Sequence, residues 1–160
     1  MEEINSTTQQ FDGDVSFQQS RRKRIRVDGD DNRVLLLNLS DLGIVVRMKE
    51  AYPQMNEISR KATRAKVEEL KDDDASTIDR VAEVISELDT DMRGLMDYVF
   101  DANVSQMCAP EGTMFDMFNG QFRFEIILDE LSKLYENNVS LEYKKMRSRI
   151  QAKASKYIGK

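Results

Sequence analysis

The chain has 160 residues, 40% hydrophobic and 33% charged, with 24 Lys and Arg against 29 Asp and Glu and no histidine or tryptophan. That length suits one domain with its own core and is short for two. The composition is that of a soluble, helix-rich protein, and no run approaches the roughly 18 apolar residues of a membrane span. The acidic, polar start MEEINSTTQQFDGD lacks the basic and apolar regions of a secretory signal. Cys108 is the single cysteine, which excludes an internal disulfide and fits a reducing, cytoplasmic setting.

Residues 1–18 are rich in Gln, Ser, Thr, Asp and Gly and read as a flexible N-terminal arm, with Phe11, Val15 and Phe17 as its apolar points. Residues 19–145 read as one globular domain, and 146–160 as a basic helical extension. Within the domain, Ile25 and Val27 alternate with Arg24 and Arg26, the period of a half-buried strand over 23–27. Asp28-Gly29-Asp30-Asp31-Asn32 follows as a turn, and a second strand runs from Val34 to Leu37. A two-stranded hairpin is marginal alone, so it must pack on helices or offer its edge to another chain.

Asn38 and Ser40 are suited to cap the next helix, with Asp41 in its first turn and Leu42, Val45, Val46 and Met48 as its apolar stripe. Pro53 marks a kink or the start of a second helix running to about Lys71, whose apolar residues are sparse. After the acidic break Asp72-Asp73-Asp74, the residues Ile78, Val81, Ile85, Leu88, Met92, Leu95 and Val99 recur in steps of three and four. That spacing predicts an amphipathic core helix over 77–103. Residues 104–120 read as a loop with one helical turn near Met114–Phe118, closed by Gly120. A last helix starts near Gln121, with Phe124, Ile127, Leu128, Leu131, Leu134 and Tyr135 on its apolar face. The expected fold is α+β, mainly α: an N-terminal β-hairpin packed on a bundle of three to four helices. Met92, Leu95, Val99, Leu128, Leu131 and Leu134 are the expected core.

The charge is unevenly spread. Residues 20–26 hold five cations and no acid, and Glu142 to Lys160 hold seven cations against one acid. Such ends serve as solvated helix faces, as intramolecular partners for the acidic middle, or as a steering surface for another molecule. Nucleic acid is a weaker reading, because the pI is about 4.9 and aromatic residues are few near both ends.

Motifs for chemistry are wanting. Asp28-x-Asp30-x-Asn32 opens like a calcium loop, but the sixth and twelfth positions are Arg33 and Leu39 instead of Gly and Glu. Asp72-Asp73-Asp74 has no second ligand cluster at defined spacing. Cys108 has no histidine to activate it, and neither a nucleophile elbow nor a glycine-rich phosphate loop is present. These patterns point away from an enzyme and name no catalytic residue, metal or cofactor. The run from Met107 to Phe118 holds Met107, Met114, Phe115, Met117 and Phe118, and methionine suits adaptable apolar surfaces. It either caps the helical core or contacts a partner.

Four segments in order resemble one family, the small tail assembly chaperones of long-tailed bacteriophages, especially those with Gram-positive hosts. They are the hairpin IRVDGDDNRVLLLNLSDL, the polar linker helix, the helix ending MDYVFDANVSQMC, and FNGQFRFEIILDELSKLYENNVSLEYKKM with the basic tail ending KYIGK. The resemblance covers about residues 17–160. The linker helix, the loop at 105–120 and the basic tail are long for the family. The resemblance implies a non-enzymatic protein of the host cytoplasm that binds the tape measure protein and keeps it soluble while the tail assembles. Family members are thought to be absent from the finished virion, and a longer frameshifted form often exists. The resemblance offers no catalytic residues, no cofactor is expected, and self-association is expected; a membrane partner is not expected, and nucleic acid is the weaker reading on charge and aromatic content. Partner contacts are expected at Met114, Phe115 and Phe118 and along the hairpin at Ile25, Val27 and Leu35. A structural or scaffolding protein of the particle is the alternative, followed by a nucleic-acid-binding regulator.

Overall fold

The computed structural model describes residues 10–16, 22–72 and 74–158, and the side chains of residues up to 153. Most of the expected N-terminal arm, including Phe17, lies outside these residues; Phe11 and Val15 are exposed. The chain is α+β and mainly α. Strands β1 (Lys23–Val27) and β2 (Asp30–Leu37) precede the helices α1 (Gly43–Lys71) and α2 (Ala75–Phe100). The short helix α3 (Val104–Cys108), two-residue strands β3 (Met117–Phe118) and β4 (Gln121–Phe122), and the long helix α4 (Arg123–Ile158) complete it.

The hairpin turns through Asp28 and Gly29, both with positive φ (52° and 71°), as a type I′ turn requires. Pairing runs antiparallel from Lys23↔Leu37 to Arg26↔Val34 and then shifts, so that Val27 faces Asp30. The extra residues 31–33 bulge from β2, which therefore starts earlier than the apolar run Val34–Leu37 suggests. Leu35 and Leu37 are buried and Ile25 and Val27 half-buried, whereas Leu36 is exposed. The alternation thus selects one face for the core.

Helix α1 is continuous through Pro53, so the proline neither ends it nor starts another. An interior proline costs about 3 kcal/mol, and tertiary packing offsets this. Ile44, Met48, Ala51, Met55, Ile58, Ala62 and Ala65 recur in steps of four and three, and the seam lies against α2. Its alanines let the two helices approach closely, while Val81, Leu88, Met92, Met96, Val99 and Phe100 fill the interior from α2. The expected stripe at Leu42, Val45 and Val46 is corrected: these residues are 68%, 65% and 58% exposed. Counting back from Met55 in helical steps reaches Ala51, Met48 and Ile44, which places Val45 and Val46 on another side.

Asn38 and Ser40 do not cap α1. The Asn38 side chain accepts from the Ser40 N–H (3.2 Å) in a turn. Asp41 does the capping work, accepting from the Gly43 N–H (2.8 Å) and pairing with Arg47 (2.7 Å). The Arg47 hydrogen bond holds the Asp41 carboxyl below the usual carboxylate range. Arg47 also donates to the Val99 carbonyl (2.9 Å), tying the start of α1 to the end of α2. Asp101 ends α2 in the left-handed region, and Arg22 donates to its carbonyl and carboxylate (both 2.8 Å), pinning the hairpin there.

Helix α4 lies across this assembly with Phe124, Ile127, Leu131 and Tyr135 buried and Leu128 and Leu134 half-buried. Asn138, nearly buried, donates to the Leu39 carbonyl (3.1 Å). From residue 141 to 153 every side chain is exposed.

Candidate protein-binding groove

The hairpin's inner face and the first part of α4 do not close fully on each other. A groove of about 500 Å³ remains between them. Ile25, Val27 and Leu35 form one wall; Ile126, Ile127, Leu131 and Leu134 form the other, and Phe118 and Cys108 line it too. Arg26, Asp28, Arg123 and Glu130 give it a charged border.

The residues expected at a partner contact divide here. Ile25, Val27, Leu35 and Phe118 come together as lining of this one groove, although Phe118 lies more than 80 positions along the chain from the other three. Met114 and Phe115 do not join them. Both have 0% exposure and belong to the core, which removes them from surface contact in this fold. The Phe115 ring meets Phe122 edge-on at 5.5 Å and Phe124 at 6.0 Å, and this cluster closes the end of the core.

The helical turn expected near Met114–Phe118 is corrected: the loop's helix lies earlier, and residues 117–118 are a strand. Residues 104–108 form α3, and Met117–Phe118 pairs with Gln121–Phe122 across Asn119-Gly120, both with positive φ (51° and 79°). Asn-Gly is a strong signal for such a turn, and it was available in the sequence. Arg123 sits over the Phe118 ring at 5.3 Å, pairs with Asp116 (3.7 Å) and donates to the Glu111 carbonyl. These contacts hold Phe118 at the groove while leaving it 46% exposed.

Arg33 braces the opposite side. Its guanidinium donates to the Met107 (2.8 Å) and Cys108 (3.3 Å) carbonyls at the end of α3 and pairs with Asp28 (3.3 Å). Arg22 and Arg26 are likewise engaged, with Asp101 and Asp31 (2.8 Å each). The basic run of the hairpin is therefore partly neutralised by nearby acids, which weakens it as a nucleic-acid patch. β1 pairs only with β2 among the described residues, so its outer edge keeps unpaired backbone groups.

Cys108 offers no activated nucleophile. Burial pushes its thiol up to about 11, against a smaller opposing pull from Arg33. At neutral pH the thiolate fraction is small. Alkylation by a thiol reagent at pH 8 is expected to be at least about tenfold slower in the folded chain than in urea; equal rates would contradict the burial. Among the described residues no group of three or more His, Cys, Asp or Glu is placed to hold a metal ion. Among the described residues no helix is long and apolar enough to cross a membrane.

The described residues form a mainly helical protein with an apolar groove between the hairpin and α4. No protein-family model, curated protein or solved structure matches the chain.

Proposed function

We propose that this chain is a non-enzymatic tail assembly chaperone of a long-tailed phage, acting in the host cytoplasm on the tape measure protein. The observation that carries this reading is the groove between hairpin and α4. It is apolar along both walls, charged at its border and flanked by an unpaired strand edge. Such a surface covers an amphipathic segment of another chain, by a helix laid in the groove or a strand added at the edge. A tape measure protein is long, helical and prone to aggregate, and shielding its apolar faces would keep it soluble.

Co-expression tests this. The soluble fraction of the tape measure protein should rise clearly when this chain is present; an unchanged fraction contradicts the proposal. Phe118→Ala removes an exposed ring from the groove and leaves the core intact, so it should weaken client binding roughly tenfold with little loss of stability. Mass spectrometry of purified virions separates the chaperone from a structural component, since abundant copies in the particle would favour the latter.

A further inference from the structure

Residues 11–15 read Phe-Asp-Gly-Asp-Val, apolar or small at the odd positions and acidic at the even ones. That is the period of a strand with one apolar and one charged face. In the structure these residues form no strand, and Phe11 and Val15 are 82% and 72% exposed. Strand β1 carries the matching pattern with the opposite charge. Ile25 and Val27 are half-buried, and Arg24 and Arg26 alternate with them and are exposed. The arginines are open to new partners, since the Asp31 side chain that pairs with Arg26 is 85% exposed, and such a pair contributes little. Among the described residues β1 pairs only with β2, which leaves its outer edge with backbone groups to satisfy. Ile25, Arg26 and Val27 also line the groove against α4, so edge and groove belong to one surface.

We propose that residues 11–15 fold back antiparallel on β1 as a third strand and lay the Phe11 ring in the groove. The exposed arm is the open state of an equilibrium, and the added strand is its closed state. Residues directly opposite in an antiparallel pair share a face, so the side chains fix the register. Setting Phe11 opposite Val27 puts Asp12 opposite Arg26, Gly13 opposite Ile25 and Asp14 opposite Arg24. A slip of one residue would turn Phe11 and Val15 away from the groove. A slip of two toward the hairpin turn would set Asp12 against Asp28.

Closure also completes the sheet, because a two-stranded hairpin is marginal and a third strand supports it. Positions 16–22 separate Val15 from Lys23. So short a tether costs little to close and holds the arm at high effective concentration beside its own β1. Another chain that takes the groove or the edge must first displace the arm. This inference does not rest on the chaperone reading, since arm and groove lie in one chain and no client enters the test.

Residue-resolved amide exchange of the full chain tests it. Amides of residues 11–15 should exchange on average at least about tenfold slower than in a free peptide of the same sequence. That protection should persist through a roughly hundredfold dilution, as a contact within one chain does. Asp14→Arg and Arg24→Glu should each lower it about threefold, and the double variant, with the charges exchanged but still opposite, should restore it. Phe11→Ser should abolish it and leave the protection of α2 unchanged. All these positions are exposed, so the fold of the helices is not at stake. Peptide-like exchange of residues 11–15 in the wild-type chain overturns the proposal. So do single variants without effect and a double variant that fails to recover. Protection that vanishes on dilution would place the arm on another copy and would equally overturn the contact within the chain.

Discussion

Phe115→Ala is expected to destabilise the chain by about 3–5 kcal/mol, the range for truncating a fully buried phenylalanine. Phe115 has 0% exposure and stands edge-on to Phe122 and Phe124, so alanine leaves a cavity walled by two rings. Neighbouring groups cannot collapse into it freely, because the Met114 carbonyl accepts from the Phe124 N–H (3.0 Å) and the Asp116 carbonyl from the Arg123 N–H (2.8 Å). A domain of this size has about 5–15 kcal/mol in all, so one ring accounts for a large share. Urea unfolding should show the loss, with the thermal midpoint lower by on the order of 10 °C. A loss below about 1 kcal/mol would mean that Phe115 is not a core residue.

Arg93→Met is expected to cost about 2–4 kcal/mol and to loosen residues 104–116 selectively. The Arg93 guanidinium donates to Asp89 (2.9 Å) and to the carbonyls of Ser105 (3.1 Å), Ala109 (2.8 Å) and Gly112 (3.0 Å). Asp89 in turn accepts from the Met114 N–H (2.7 Å). The side chains of Arg93 and Asp89 are 22% and 16% exposed, so water replaces little of what is lost. Removing the arginine takes a donor from three carbonyls, of which Ser105 keeps the Ala109 N–H (3.0 Å) and Gly112 is open to water, so the buried loss falls on Ala109, and it leaves Asp89 with its backbone donor alone. Arg93→Lys should rescue little, since one ammonium cannot span the acceptors that the planar fork reaches. Amide exchange should quicken at Met114 and across α3 while α2 stays protected. Uniform loss of protection would instead assign Arg93 to the global core.

These two sites mark where sequence reading and structure part. The hairpin is legible because strand alternation and an Asp-Gly turn agree, and α2 because its apolar residues hold one period over 26 residues. α3 has five residues and β3 and β4 two each, too few for periodicity to register. Tertiary bonds hold them instead: Asp97 accepts from the Ser105 N–H (2.7 Å) at the start of α3, and Arg93 and Arg33 hold carbonyls along the loop. The inward side of α1 is misassigned by sequence to Leu42, Val45 and Val46, because packing on α2 selects the side of Ile44 and Met48.

The candidate site was half legible. Apolar hairpin residues and a Met- and Phe-rich loop mark the neighbourhood of the groove, but composition does not separate Phe118, which is exposed, from Met114 and Phe115, which are not. In the α4 wall, Ile127, Leu131 and Leu134 read from the sequence as the helix's apolar face, and Ile126 lies outside that stripe. A residue can serve both core and groove when an open groove lies over it, and that gap is a property of the assembled hairpin and helix.

Hydrogen–deuterium exchange on the chain with and without the tape measure protein is the most direct measurement of the groove's role. Protection should increase in 23–37 and 117–134, the hairpin, the Phe118 turn and the first half of α4. A complex whose protection falls elsewhere, with these two stretches unchanged, would contradict the assignment of the groove as the client site.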